Sequence, residues 1–226
     1  MVYICNRGSS QVEPGTAEHA FDRRTQPRKP RGEIPGAHYI FGGVIMPCSA
    51  NDIVALAKTQ IGVCEKPKGS NNVPYNTEYY GREINDPNYA WCATFVWWLF
   101  KHCNAPELYY DGQKTAYVPA LDDWGRRNGL LVTDPKPGDM VIFDWDTPQG
   151  GGDHVAICLS CTDTTITTID GNTDDAVRQM IRPRSKVLHV IRPKYSAAPA
   201  GAPVCTVDSC PVLSWIREMI NERGGV

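Results

Sequence analysis

Gly151-Gly152-Asp153-His154-Val155-Ala156-Ile157-Cys158-Leu159-Ser160-Cys161-Thr162-Asp163-Thr164-Thr165-Ile166-Thr167-Thr168-Ile169-Asp170-Gly171-Asn172 is the stretch on which the fold turns. Glycines precede it, its apolar residues alternate with polar ones, and a short polar turn interrupts it at Cys161-Thr162-Asp163. This pattern predicts strands over 154–161 and 164–170, paired antiparallel because so short a turn allows nothing else. Counting out from a turn near Thr162, eight residues back is His154 and eight forward is Asp170. An imidazole and a carboxylate are thus expected side by side at one sheet edge, where the acid or the amide of Asn172 can hold one ring nitrogen. Taken alone, His154 could equally be a solvated turn histidine.

Further strands are predicted over 130–133, 139–145, 177–182 and 187–192, separated by Pro135-Lys136-Pro137-Gly138, Gln149-Gly150-Gly151-Gly152 and Gly171-Asn172. The pattern upstream is helical. Ser49 or Asn51 can cap a helix whose apolar face is Ile53, Leu56, Ala57 and Ile61, ending at Gly62. A second helix is expected from Trp91 to His102 and a third from Val118 to Arg127, stopped by Gly129. Ahead of the second helix, the segment from Gly69 to Gly81 is rich in Gly, Asn and Tyr and reads as a loop. Helices first and an antiparallel sheet of about five or six strands afterwards is an α+β arrangement.

The helix at Ala90-Trp91-Cys92-Ala93-Thr94-Phe95-Val96-Trp97-Trp98-Leu99-Phe100 places a cysteine in its first turn. Free N–H groups and the positive end of the helix dipole meet there and favour a thiolate. A small buried core thiol is the competing reading. A nucleophilic Cys92 needs a base, and His154 is the histidine placed to serve. His19 and His38 lie in a tail, His189 alternates within a strand, and His102 stands about 15 Å along the helix from Cys92. Trp97, Trp98 and Trp145 have apolar neighbours and read as core.

The rest of the chain sets bounds. It has 226 residues, 42% of them hydrophobic, and 23 basic against 25 acidic side chains, a balance that argues against a nucleic-acid partner. Eleven residues is the longest apolar run, too short to span a membrane. Nine cysteines are scattered, and Cys158-x-x-Cys161 has no second such pair, so zinc is not expected. Residues 22–31 are basic and proline-punctuated, and 1–48 as a whole read as a flexible extension, with Met46 a candidate start. The expected catalytic domain covers 49–195, with an Ala/Pro linker at 196–203 and a short helix at 204–226.

Five pieces of this sequence, in order, carry a family resemblance. They are Gly69-Ser70-Asn71-Asn72 with Tyr75-Asn76 and Tyr79-Tyr80-Gly81; Trp91-Cys92-Ala93 with Phe95-Val96; Pro137-Gly138-Asp139; His154-Val155-Ala156-Ile157; and Asp170-Gly171-Asn172-Thr173. Together they resemble the CHAP cysteine amidohydrolases and peptidases, within the NlpC-type group. The resemblance spans nearly two-thirds of the chain. It implies a papain-like fold and hydrolysis of an amide in bacterial peptidoglycan, by an N-acetylmuramoyl-L-alanine amidase or an endopeptidase. It also implies catalytic Cys92 and His154 with Asp170 or Asn172 orienting the base. The family's usual acid here is Glu; Asp170 is one methylene shorter.

Some relatives bind calcium ahead of the cysteine, but Glu83-Ile84-Asn85-Asp86-Pro87-Asn88 is only partly oxygen-rich, so no metal or cofactor is expected. A protein-directed cysteine protease or deamidase, or a non-catalytic wall-binding module, are the alternatives; the joint presence of Cys92, His154 and Asp170 argues against the last. The expected partner is peptidoglycan, with no membrane or nucleic acid, for a monomer acting on the wall. No secretory signal is visible in the sequence, which fits release by phage lysis or a lost leader.

Overall fold

The computed structural model describes residues 39–41, 44–46, 48–145 and 151–195. The proposed linker at 196–203, the helix at 204–226 and most of the 1–48 extension lie outside the described residues. Within that extension, β1 (Tyr39–Phe41) and β2 (Val44–Met46) pair antiparallel as a separate two-stranded sheet.

Helix α1 (Ala50–Thr59) starts at Ser49 in a capping box: the Asp52 carboxylate accepts from the Ser49 N–H at 2.8 Å, and the Ser49 hydroxyl accepts from the Asp52 N–H. The segment 69–81, expected as a loop, contains a second helix, α2 (Pro74–Tyr80), which starts on a proline and closes at Gly81 with φ of +69°. Its polar composition is misleading, because Asn76 is used inside the protein rather than in solvent. The next two helices, α3 (Cys92–His102) and α4 (Val118–Arg127), fall where the periodicity puts them. Every residue of α3 from Cys92 to Phe100 is buried, as expected of a helix apolar on all sides.

Six strands follow: β3 (Leu131–Val132), β4 (Met140–Phe143), β5 (His154–Cys161), β6 (Thr165–Thr173), β7 (Ala176–Pro183) and β8 (Val187–Ile191). They form one antiparallel sheet in the order β3-β8-β4-β5-β6-β7, so the last strand folds back between β3 and β4. Helices and sheet make an α+β protein, the arrangement expected of a papain-like fold. Alternate residues divide the sheet into two faces. Met140, Ile142, Val155, Ile157 and Ile169 join the main core with Phe95, Val96 and Leu99 of α3. Val141, Phe143, Ala156 and Cys158 form a second cluster, edged by Trp145.

The β5–β6 register differs from the simple count. Ile157 faces Ile169 and Cys158 faces Thr168, with an irregularity before Ser160 faces Thr167. Carried three residues further, this register sets His154 opposite Asn172, with Asp170 on the diagonal. The offset comes from a turn centred beyond Thr162, whose N–H donates to the Thr165 carbonyl at 2.8 Å, and the irregularity takes one residue of that offset back.

Candidate active site

Cys92 is the first residue of α3 and is buried. The chain leading to it is fastened by side chains from distant segments. Trp91 stacks on Tyr75 with ring centroids 5.5 Å apart, and its indole N–H donates to Glu65 Oε1 at 2.8 Å. The other Glu65 oxygen accepts from the Asn71 N–H at 2.8 Å. Asn76 donates to the carbonyls of Asn71 and Tyr89 and accepts from the Thr94 hydroxyl. Its amide is therefore committed to holding the loop against α3.

His154 opens β5 and is buried beside the rings of Phe143 and Trp145, 6.2 and 6.4 Å away. Its Nε2 lies 2.9 Å from Asp170 Oδ2, which leaves Nδ1 for the Cys92 sulfur. Asp170 is fully buried and also accepts from the Thr168 hydroxyl and from Arg182. Asn172, the other candidate, sits in the left-handed region at φ of +61° and makes no side-chain hydrogen bond to His154 among the described residues. Diagonal Asp170, rather than opposite Asn172, meets the imidazole. Gly171 lets this strand end lie directly on α3, since a Cβ there would fall 2.7 Å from Phe95 Cβ.

The electrostatics follow from these contacts. Burial opposes ionisation of the Cys92 thiol, but the His154 imidazole and the N–H groups of Val155 and Ala93 outweigh it and hold its pKa below the ordinary thiol value. Burial likewise opposes a charged His154, yet the Asp170 carboxylate and the Cys92 sulfur raise it to about 9. For Asp170, burial is outweighed by His154, Arg182 and Thr168, and its pKa is lowered. The three shifts describe one arrangement: a thiolate, an imidazolium and a carboxylate in line. Such a thiolate is a nucleophile, and its partner is a proton donor.

The remaining candidates lie elsewhere. His102 stacks on Trp98 and meets Glu78 at 2.9 Å; His189 meets Asp122 at 2.8 Å. His19 and His38 are outside the described residues. Trp145, expected in the core, instead edges the site, because the partly buried ring stacks on Phe143 and leans toward His154. Glu65, Thr168 and Arg182 escaped the sequence reading. A lone carboxylate in a turn and an arginine in a strand carry no spacing signal, although Arg182 on the strand next to Asp170 could have been suspected from hairpin order. Among the described residues, no group of three His, Cys, Asp or Glu side chains could hold a metal. No helix there is long and apolar enough to cross a membrane.

Residues 84–172 match the family model of the CHAP domain. This segment is similar to CHAP domains. The match places it among peptidoglycan-hydrolase-like amidases and peptidases. No curated protein matches the chain. The CHAP segment holds Cys92, His154 and Asp170, whereas Glu65, which fastens Trp91, and Arg182, which contacts Asp170, lie beyond its two ends.

Proposed function

We propose that the protein is a cysteine amidase or endopeptidase that cleaves an amide bond of bacterial peptidoglycan, with Cys92 as nucleophile, His154 as acid and base, and Asp170 as the group that orients the imidazole. The observation carrying this reading is the unbroken line from the Cys92 sulfur through His154 to Asp170, with a thiol made acidic and an imidazole made basic. The CHAP match supports the wall as substrate class.

In this reading the Cys92 thiolate attacks the amide carbonyl and forms a tetrahedral oxyanion. The N–H at the start of α3 faces the developing charge, helped by the helix dipole. The imidazolium gives its proton to the departing amine, leaving an acyl-enzyme. Neutral His154 then takes a proton from water, which attacks the thioester and releases the carboxylate product. Asp170 keeps Nε2 protonated throughout, so Nδ1 always faces the sulfur.

The test is digestion of purified peptidoglycan followed by mass spectrometry of the soluble fragments. A new amine on L-alanine with a free lactyl carboxylate identifies an amidase, and a new amine within the stem or cross-bridge identifies an endopeptidase. Fragments that appear equally with Cys92→Ala would contradict the proposal.

A further inference from the structure

Arg182 lies on β7, outside the CHAP segment, yet it shares an oxygen with the candidate base. Asp170 Oδ2 accepts from His154 Nε2 at 2.9 Å, from Arg182 Nε at 2.8 Å and from Arg182 Nη2 at 2.6 Å. The hydroxyl of Thr168 fills Oδ1. Four donors thus meet this buried carboxylate, three of them on Oδ2. The guanidinium is itself held: it lies 4.9 Å from the Trp145 ring and 5.5 Å from the Phe143 ring, and Nη2 also donates to the Thr173 hydroxyl. Aromatic faces favour a cation in that position and keep the fork from swinging into solvent.

We propose that Arg182 is a positioning residue for the Cys92–His154 pair: its fork holds the Asp170 carboxylate ionised and turned toward His154, and so sets how far into acid the thiolate persists. The inference rests on the reading of Cys92 and His154 as the reacting pair. Removing the fork takes two of the four donors from Asp170, so the carboxylate protonates more readily and is free to rotate. His154 is then held less firmly against the sulfur. Each of these changes makes Cys92 harder to ionise.

The other charged and titratable groups around the site leave this assignment to Arg182. Arg178 is the register partner of Asp170, but its guanidinium goes to the Thr173 carbonyl and toward Asp174. Tyr109, behind α3, donates to the Ala93 and Thr115 carbonyls. Asp153, next to His154 in the chain, accepts from the Trp145 N–H at 2.9 Å.

The experiment is the pH dependence of iodoacetamide alkylation at Cys92, read by peptide mass spectrometry, in wild type, Arg182→Gln and Arg182→Lys. Exposed Cys64 in the same digest is the reference thiol, and circular dichroism checks folding. The wild-type acid limb at Cys92 is expected below that of Cys64. Arg182→Gln should move it up by about one pH unit, a tenfold loss of rate on that limb, with Arg182→Lys in between. If both variants fold and the limb stays put, Arg182 merely ties β7 to β6 and the inference is wrong. Should the glutamine variant not fold, the lysine variant decides alone. A wild-type Cys92 limb coinciding with that of Cys64 would instead overturn the reacting-pair reading on which the inference rests.

Discussion

His154 and Asp170 meet on the diagonal of a strand pair, Nε2 to Oδ2 at 2.9 Å, although the register carried along the strands sets His154 opposite Asn172. In the proposed mechanism the orienting carboxylate therefore sits two residues from direct opposition, just ahead of Asn172 in the left-handed region.

Asp170→Asn preserves shape and removes the charge. The turnover number on peptidoglycan should fall by about a hundredfold or more, because the imidazolium loses its counter-charge and the ring its fixed tautomer. The alkaline limb of the pH–rate profile should also move below 9, since hydrogen bonding to Asp170 is the first of the interactions raising His154. A mutant with a wild-type profile would exclude Asp170 from the reaction.

The wild-type profile should be bell-shaped. His154 is raised to about 9, so its stabilising contribution is complete below its unfolded value of about 6.5 and is lost as pH rises through about 9. Cys92 is lowered, so its contribution is present above the unfolded value of about 8.5 and is lost as pH falls through the depressed one. Activity should span the interval between those two folded values. An acid limb at the ordinary thiol pKa, measured by initial rates across pH, would show that no ion pair forms.

Asn172→Gly removes the amide while suiting the φ of +61°. Steady-state rates should stay within about threefold of wild type. A loss comparable to that of Asp170→Asn would reassign the orienting role.

Gly171→Ala tests the packing that seats this strand end. The new Cβ would lie 2.7 Å from Phe95 Cβ and 2.9 Å from its Cγ. Relief requires β6 and α3 to part, at a cost of about 1–3 kcal/mol, which denaturant midpoints would register.

Much of this architecture is legible in the residues themselves. The bounds of α4 and β5 coincide with the pattern, because a glycine stop ends the helix and the glycines before His154 and the polar turn after Cys161 bound the strand. The hairpin count brings His154 and Asp170 to one edge but misses the register by two, since the polar run after Cys161 does not show that the turn closes between Thr162 and Thr165. Helix α2 is hidden because its buried Asn76 is polar for internal reasons, bonding backbone carbonyls of two loops. Trp145 looks like core and edges the site, since apolar neighbours in sequence do not tell which sheet face a ring covers. Glu65 and Arg182 are out of reach for a related reason. Each acts on a residue far away in the chain, Glu65 on Trp91 and Arg182 on Asp170, and only the folded chain joins them.

The central claim is that the Cys92 thiolate opens a wall amide, and turbidity clearing of purified bacterial cell walls tests it most directly. Wild-type protein should clear the suspension, while Cys92→Ala, shown by circular dichroism to be folded, should leave it turbid. Equal clearing by the folded alanine variant would contradict the account.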